Sequence, residues 1–309
     1  MMLFEDSPAS WPVMESGSAV TIGVLDGVHM GHQALLRQLG DAYTKTVLTF
    51  DPHPVEVLRP GSDPRLITNL EERIELLQRS GVERVGVLDL TEIREYPPEE
   101  FVESVLVDRL RIGRLVVGAD FRFGKDRAGD VNLLRSLGAS HGFEVETIAL
   151  VDDGAEIVSS SRIRHMIEDG EVGPAASLLG SRYRMTGTVV PGDKRGREIG
   201  FPTANMRPPV RKVIPAIGIY AAFVRIGETT HQAAINVGVR PTFGGGELLV
   251  EAFVLDFDAD LYGQHITVEF VEYLRPEKKF DGVEPLVEAM TADVVETRRF
   301  LDATTSNMS

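Results

Sequence analysis

His29 and His32 enclose Met30 and Gly31 at the mouth of a helix-like segment, within the stretch AVTIGVLDGVHMGHQALL (19–36). The apolar run Ala19 to Leu25 predicts a buried strand, and Asp26-Gly27 marks a turn. Leu35, Leu36 and Leu39 predict one face of a helix that Gly40 closes. The first N–H groups of a helix have no partner inside it, so strand, glycine turn and helix start together make an anion site. Gly31 lets a ligand approach the backbone. Two imidazoles in that first turn offer donors to the charge that develops on a transferring phosphoryl group. On the residues alone two other readings stay open. The histidines merely cap the helix, or they hold a metal with His53, although no carboxylate stands at an obvious ligand spacing.

Four further stretches carry candidate chemistry. In Gly118 to Gly129, Phe121 and Phe123 would flank a planar ring, Asp120 would accept its hydrogen bonds, and three cations would reach phosphates; a solvated loop is the plainer alternative. In Val158 to Arg164, serines at a helix start are ordinary caps, yet Arg162 and Arg164 make a second phosphate cradle plausible. Gly192 to Asn205 is basic and glycine-rich but lacks the G-K-[ST] ending of a P-loop. There Thr203 and Asn205 each bring a neutral oxygen suited to a hard cation such as Mg²⁺; a plain turn region would also account for the glycines. Last, Asn236 to Thr242 precedes Glu251, a carboxylate in the otherwise apolar run Leu248 to Leu255. Both faces of that run are apolar, so Glu251 is hard to explain as a solvated side chain and is a candidate for proton chemistry.

These residues need two different scaffolds. From 19 to about 150, strand-like and helix-like segments alternate, which predicts an α/β domain with a parallel sheet and ligands at the C-terminal strand ends. Thr68 and Glu71 read there as a capping box, and Pro98 opens a helix with Phe101, Val102, Val105, Leu106 and Leu110 on one face. Two short helices follow, ended by Gly170 and Gly180. After Tyr183 the pattern is all-β: strands at 184–190, 219–226, 232–237, 248–255 and 266–273 predict a small antiparallel barrel, closed by a helix near 284–301. The expected domains are 1–182 and 183–309.

The bulk composition excludes several classes. A net charge of −15 speaks against a nucleic-acid or anionic-membrane binder. The absence of cysteine removes disulfides, thiolate metal sites and thiol nucleophiles, and agrees with a cytoplasmic place. The longest apolar stretch, Val213 to Val224, is broken by Pro215 and Gly218 and is too short for a bilayer; the N-terminus has no secretory pattern.

Together the motifs resemble the bifunctional bacterial riboflavin kinase/FAD synthetase family over nearly the whole chain. The N-terminal half resembles its FMN adenylyltransferase module, a Rossmann-like H-x-G-H nucleotidyltransferase. It does so through Gly23, Asp26, Gly27, His29, Gly31, His32, residues 49–54, residues 118–124 and residues 159–164. The C-terminal half resembles the riboflavin kinase barrel through residues 200–205, 218–221 and 236–243, Glu251, and residues 255–257. The resemblance implies that riboflavin and ATP give FMN, and that FMN and ATP then give FAD and pyrophosphate, both with Mg²⁺. It implies that His29 and His32 stabilise adenylyl transfer, and that Gly23, Asp26, Gly31, Ser160, Ser161 and Arg164 hold that ATP. Asp120, Phe121 and Phe123 in the first module, and Arg240 in the second, would contact flavin. Gly200, Thr203 and Asn205 would hold the kinase ATP and its metal, with Glu251 as base. Leu25, Met30 and Ser161 depart from the family's usual phenylalanine, basic residue and threonine; Met30 removes one positive charge near the phosphates. A non-catalytic flavin- or nucleotide-binding regulator and a kinase with an impaired first module are the alternatives. A homo-oligomer stays open.

Overall fold

The computed structural model describes residues 1–62, 64–192, 196, 199–242 and 245–306, with backbone alone at 240–242, 245–247 and 305–306. The chain forms two compact units, Met1–Ser160 and Ser161–Ser309.

In the first unit six strands pair, all parallel, in the order β1-β4-β3-β2-β5-β6. They are β1 (Met2–Phe4), β2 (Ser18–Ile22), β3 (Thr44–Phe50), β4 (Arg84–Leu88), β5 (Ile112–Gly118) and β6 (Glu144–Ile148). The sequence explains why both faces are covered. Side chains alternate across a strand, and here both sets are apolar. Val20, Leu48, Leu88, Leu115 and Val117 join one core, with Phe101, Val102, Val105 and Leu134. Ala19, Val47, Val85, Val87 and Val116 join a second core, with Leu36 and Leu77. Helices α1 (Met30–Gln38), α2 (Pro54–Leu58), α3 (Leu70–Arg79), α4 (Leu90–Ile93), α5 (Pro98–Phe101) and α6 (Val131–His141) connect the strands, and α5 runs on into a π-helical segment at Val102–Val107. The predicted parallel α/β architecture is what the structure shows. The short edge strand β1 was not foreseen.

The capping box of α3 lies one residue later than its sequence signature. Asn69 accepts from the Glu72 N–H and Glu72 accepts from the Asn69 N–H, at 2.8 and 3.0 Å. Thr68 instead donates its hydroxyl to Asp26. A buried carboxylate competes for the hydroxyl that the motif assigns to the helix.

The strand order reverses around β2. Leaving β2 the chain moves to β3 and β4, then returns to pair β5 on the other side. Ligands of open α/β sheets bind outside the carboxyl ends of the strands at such a reversal. The two ends that flank it are those of β2 and β5, which lead to His29 and to Asp120.

The second unit opens at Ser161, inside α7 (Ser160–Glu168), and continues with α8 (Val172–Leu179), which ends on left-handed Gly180. A six-stranded closed antiparallel barrel follows: β7 (Arg184–Val190), β8 (Ala204–Met206), β9 (Gly218–Ile226), β10 (Thr229–Thr242), β11 (Gly245–Val254) and β12 (His265–Arg275), in the order β10-β11-β8-β7-β12-β9. A terminal helix, α9 (Val283–Ser306), packs on β9, β10 and β12. Tyr220 and Phe270 meet edge to face at 5.3 Å in the core. The five predicted strands and the helix are present. β8 was hidden because its residues read as a phosphate motif. The second unit begins at Ser161, before the change to strands at Tyr183, because α8 packs against β12. A Cβ on Gly173 would lie 3.3 Å from Glu272 Oε2.

Candidate functional site

Two sites emerge, one in each unit. In the first, β2 ends in a turn whose backbone is constrained at several points. Leu25, Gly27 and Val28 have φ of 55°, 79° and 44°. For leucine and β-branched valine this left-handed region is unfavourable and persists only where neighbours fix it. Asp26 is the fixing point. Its carboxylate accepts from Ile67 N, Thr68 N and the Thr68 hydroxyl at 3.1, 2.9 and 3.1 Å, and its carbonyl accepts from Ser160 Oγ at 3.0 Å. Gly27 N donates to Thr68 Oγ1. Asp26 is 1% exposed, so its carboxylate braces the turn and is not directed to solvent.

The turn delivers His29 as the N-cap of α1 and His32 into its first turn, with rings stacked at 3.6 Å between centroids. Burial, then His29, then Arg73 hold the His32 imidazole well below its ordinary range, so it is neutral at neutral pH. Its Nδ1 is buried with no hydrogen-bond partner among the described residues. A Cβ at Gly31 would stand 3.1 Å from His29 Cε1 and 3.2 Å from its Nδ1. The glycine therefore makes room first for the imidazole of His29. Gly23 has no comparable crowding: its added Cβ would meet only Leu25 Cγ, at 3.8 Å.

Phe121 and Phe123 do not flank an open slot. They stack on each other at 5.9 Å and 12°, and Phe123 also packs on Phe101. A Cβ at Gly129 would collide with the Phe123 ring at 2.5 Å. The pair forms a wall of a cavity of about 560 Å³ with Ile22, Phe50, Leu90 and Ile93, and the exposed Arg94, Arg122 and Arg127 line it together with the exposed Glu95 and Asp126. Asp120 is exposed and is not part of that lining. Ser160 joins the histidine turn through Asp26. Ser161 and Arg164 belong to the second unit, where Arg164 Nη1 lies 3.4 Å from Ser161 Oγ.

In the barrel, register assembles the second site. Asn205 of β8 faces Glu251 of β11, Glu251 faces Asn236 of β10, Asn236 faces Ile219 of β9, and Ile219 faces Arg275 of β12. Directly opposed residues share a face, and all five line a cavity of about 360 Å³. Phe201, Phe253 and Phe280 supply apolar surface, and Leu286, Met290 and Val294 of α9 line it too. Asn236 Oδ1 is buried and accepts no hydrogen bond among the described residues. Arg275 donates to both carboxylate oxygens of Asp293 at 2.7 and 2.6 Å, tying α9 to β12 at the cavity wall.

A second cavity, about 130 Å³, is lined by Ala252 and Val254 on the other face of β11. Leu249, Val250, Ala252 and Val254 are all buried, which explains why the strand is apolar on both sides around Glu251. Thr203, Asn205 and Gly196 line both cavities. Two glycines shape this junction. A Cβ at Gly192 would stand 2.1 Å from Asn205 Nδ2, and one at Gly196 would stand 2.2 Å from the Phe201 carbonyl oxygen, whose N–H returns to Gly196 O at 2.8 Å. Gly200 turns the chain at φ 87° just before Thr203. The basic residues Lys194, Arg195 and Arg197 and the Arg240 side chain lie outside the described residues. Thr203 and Asn205 carry neutral hard oxygens beside a carboxylate, a donor set that suits a hard divalent cation shared with phosphates. Among the described residues no cluster of three or more histidine, aspartate or glutamate side chains is placed to hold a metal ion.

The sequence pointed to most of these groups. It did not mark Arg275, Asp293 or Arg73, which read as ordinary charged helix and strand positions. Asn236 was visible as part of a motif but carried no role.

Comparison with known proteins agrees with this two-part reading. A family model for FAD synthetase matches residues 12–162, and one for riboflavin kinase matches residues 179–301. The chain is 37% identical over 289 residues to a bifunctional riboflavin kinase/FMN adenylyltransferase of Listeria monocytogenes, covering 91% of each chain. It is 36% identical over 297 residues to the protein of that description from Escherichia coli, covering 94% of this chain and 95% of the relative. A solved structure described as a macrolide-efflux protein from Streptococcus pneumoniae superposes with a TM-score of 0.90 at 33% identity, covering 96% of this chain and 99% of the other. Among the described residues no helix is long and apolar enough to cross a membrane.

Proposed function

The chain belongs to the bifunctional riboflavin kinase/FMN adenylyltransferase family, and from that premise we propose how its two units divide the work. The barrel makes FMN from riboflavin and ATP, and the α/β unit makes FAD from FMN and a second ATP. The observation that carries the kinase assignment is the opposed pair Glu251 and Asn205 at the junction of two cavities. Riboflavin occupies the larger cavity, against Phe201, Phe253 and α9. Its 5′-hydroxyl gives its proton to the Glu251 carboxylate as the oxygen attacks the γ-phosphorus of ATP, and ADP leaves. Gly200, Thr203 and Asn205 hold the ATP phosphates. A divalent ion, which we assign as Mg²⁺, would be held by the oxygens of Thr203 and Asn205. It would screen phosphate charge and orient the attack. Arg240 is assigned to flavin on the family resemblance.

In the α/β unit, a phosphate oxygen of FMN attacks the α-phosphorus of ATP and pyrophosphate leaves. Stacked His29 and His32 face the charge that develops there. Their contribution is electrostatic, since phosphoryl transfer asks for positioning and charge stabilisation more than for covalent help. Gly23 and Gly31 leave backbone accessible to ATP. Asp26 acts through the backbone it braces, and Ser160 joins it there; Ser161 and Arg164 are assigned to the triphosphate on the family resemblance alone. The flavin ring takes the apolar cavity walled by Phe121 and Phe123. Asp120 stands outside that lining, so its assignment to flavin also rests on resemblance. We place the functional boundary at residue 182, just before β7, and assign the enzyme to the cytoplasm, in agreement with the cysteine-free chain.

The reading is tested by incubating the purified chain with riboflavin, ATP and Mg²⁺ and separating the flavins. FMN followed by FAD supports it. No FMN under any divalent-metal condition overturns the kinase assignment, and FMN that never proceeds to FAD overturns the second.

A further inference from the structure

Arg73, on α3, is 1% exposed, although nothing in the chemistry above uses it. Burying a guanidinium is expensive unless its donors are satisfied. Here the Nε–H has no acceptor among the described residues. A group kept at that cost calls for a reason. The donors that are satisfied show one. Nη1 donates to Thr49 Oγ1 at 2.9 Å and to the Phe50 carbonyl at 3.0 Å. Thr49 Oγ1 in turn donates to the Val24 carbonyl at 2.8 Å. The guanidinium thus ties the carboxyl end of β3 to the residue from which the histidine turn departs. That turn holds Leu25 and Val28 at positive φ, a conformation neither residue favours. Ile67, Thr68 and Ser160 hold Asp26. Arg73, through Thr49, holds the neighbouring Val24.

We propose that Arg73 is a positioning residue for adenylyl transfer: its guanidinium, acting through Thr49, holds the strained turn that aims His29 and His32. The assignment rests on the adenylyltransferase reading of this unit. Charge adds to geometry. The groups acting on His32 are His29 from the turn before α1 and Arg73 from α3, while Arg73 itself faces Asp26 and Asp51. Arg73 helps keep the inner imidazole neutral, so that the stacked pair is not doubly charged.

The test compares Thr49→Val, Arg73→Lys and Arg73→Met in the full chain, following FAD formation from supplied FMN against pH. Riboflavin phosphorylation by the same preparations is the loading control, and thermal melting reports folding. Wild type must form FAD; if it does not, the functional reading fails and this inference is not what failed. Thr49→Val is expected to lower kcat about tenfold, as for one lost hydrogen bond, with KM for FMN and the acid limb of the profile unchanged. Arg73→Lys keeps the charge, so its acid limb stays in place while kcat falls at least as far. Arg73→Met is expected to lose more activity and to move the acid limb to higher pH, because removing a cation eases protonation of His32. Should Arg73→Met not fold, the other two variants decide. Wild-type kcat in both Thr49→Val and Arg73→Lys overturns the proposal, as does a folded Arg73→Met with an unmoved acid limb.

Discussion

Glu251 and Asn205 stand directly opposite each other across the β8–β11 pair, on one wall of the larger barrel cavity. That register places a carboxylate beside an amide that also lines the smaller cavity. A proton acceptor and a phosphate-side ligand are thereby held by two adjacent strands. Sites on rigid strands keep their geometry better than sites on loops.

The first prediction concerns the metal. Thr203→Val and Asn205→Ala each remove one hard oxygen without touching Glu251. Both are expected to raise the Mg²⁺ concentration that half-saturates FMN formation, by about tenfold for each lost oxygen contact. A chelator in excess stops the step in every form. Titrating the kinase rate with Mg²⁺ checks this, and superimposable curves for variant and wild type count against the assignment.

Gly31→Ala tests the crowding at the histidines. The new methyl lies 3.1 Å from His29 Cε1, so the ring must shift by a few tenths of an ångström. Small misplacements of catalytic groups are costly. FAD formation is expected to fall roughly tenfold or more, with FMN formation unchanged. Unaltered FAD kinetics would show that the ring position does not matter.

The Arg275–Asp293 pair tests the docking of α9. The two side chains are 28% and 10% exposed, between the surface and buried regimes. Asp293→Asn weakens a bidentate charged bond, at a cost of roughly 1–3 kcal/mol. Urea unfolding should register that loss in the barrel transition, and KM for riboflavin should rise because α9 lines the cavity. A stable variant with unchanged KM contradicts the role.

The His32 imidazole sets a pH dependence. Its folded value is depressed below the ordinary 6.5, by burial first and then by His29 and Arg73. Below 6.5 the unfolded chain therefore binds a proton that the folded unit refuses. Its contribution is fully present above 6.5 and is lost as pH falls from 6.5 toward the lower folded value. Denaturant melts of the α/β unit at about pH 7.5 and about pH 5.5 should show less of this loss in His32→Gln than in wild type. Equal losses in the two forms would refute the assignment.

How far the sequence reached differs between elements. Strands β2 to β6 were legible because continuous apolar runs bounded by turns identify buried parallel strands. Glu251 was legible because a carboxylate is conspicuous in such a run. β8 was not, since three residues give no period and their polar side chains read as ligands. The α3 cap slipped by one residue because Asp26 takes the Thr68 hydroxyl, a contact 42 residues away that no local pattern shows. The spacing of Phe121 and Phe123 suggests that they flank a planar ring, but spacing alone does not tell flanking from the mutual stacking observed. Arg73 looked like any charge on an amphipathic helix until the fold buried it.

The central claim is that two separate sites carry two successive steps. The measurement that bears on it most directly is a crossed assay of Glu251→Gln and His29→Ala. Each full-length variant is supplied once with riboflavin and once with FMN, with ATP and Mg²⁺, and the flavins are separated. The account predicts that Glu251→Gln loses FMN formation by about 10²–10⁴-fold while converting supplied FMN to FAD at the wild-type rate. It predicts that His29→Ala makes FMN normally and loses FAD formation by about 10²–10³-fold. Loss of both steps in either variant, with the chain folded, would contradict it.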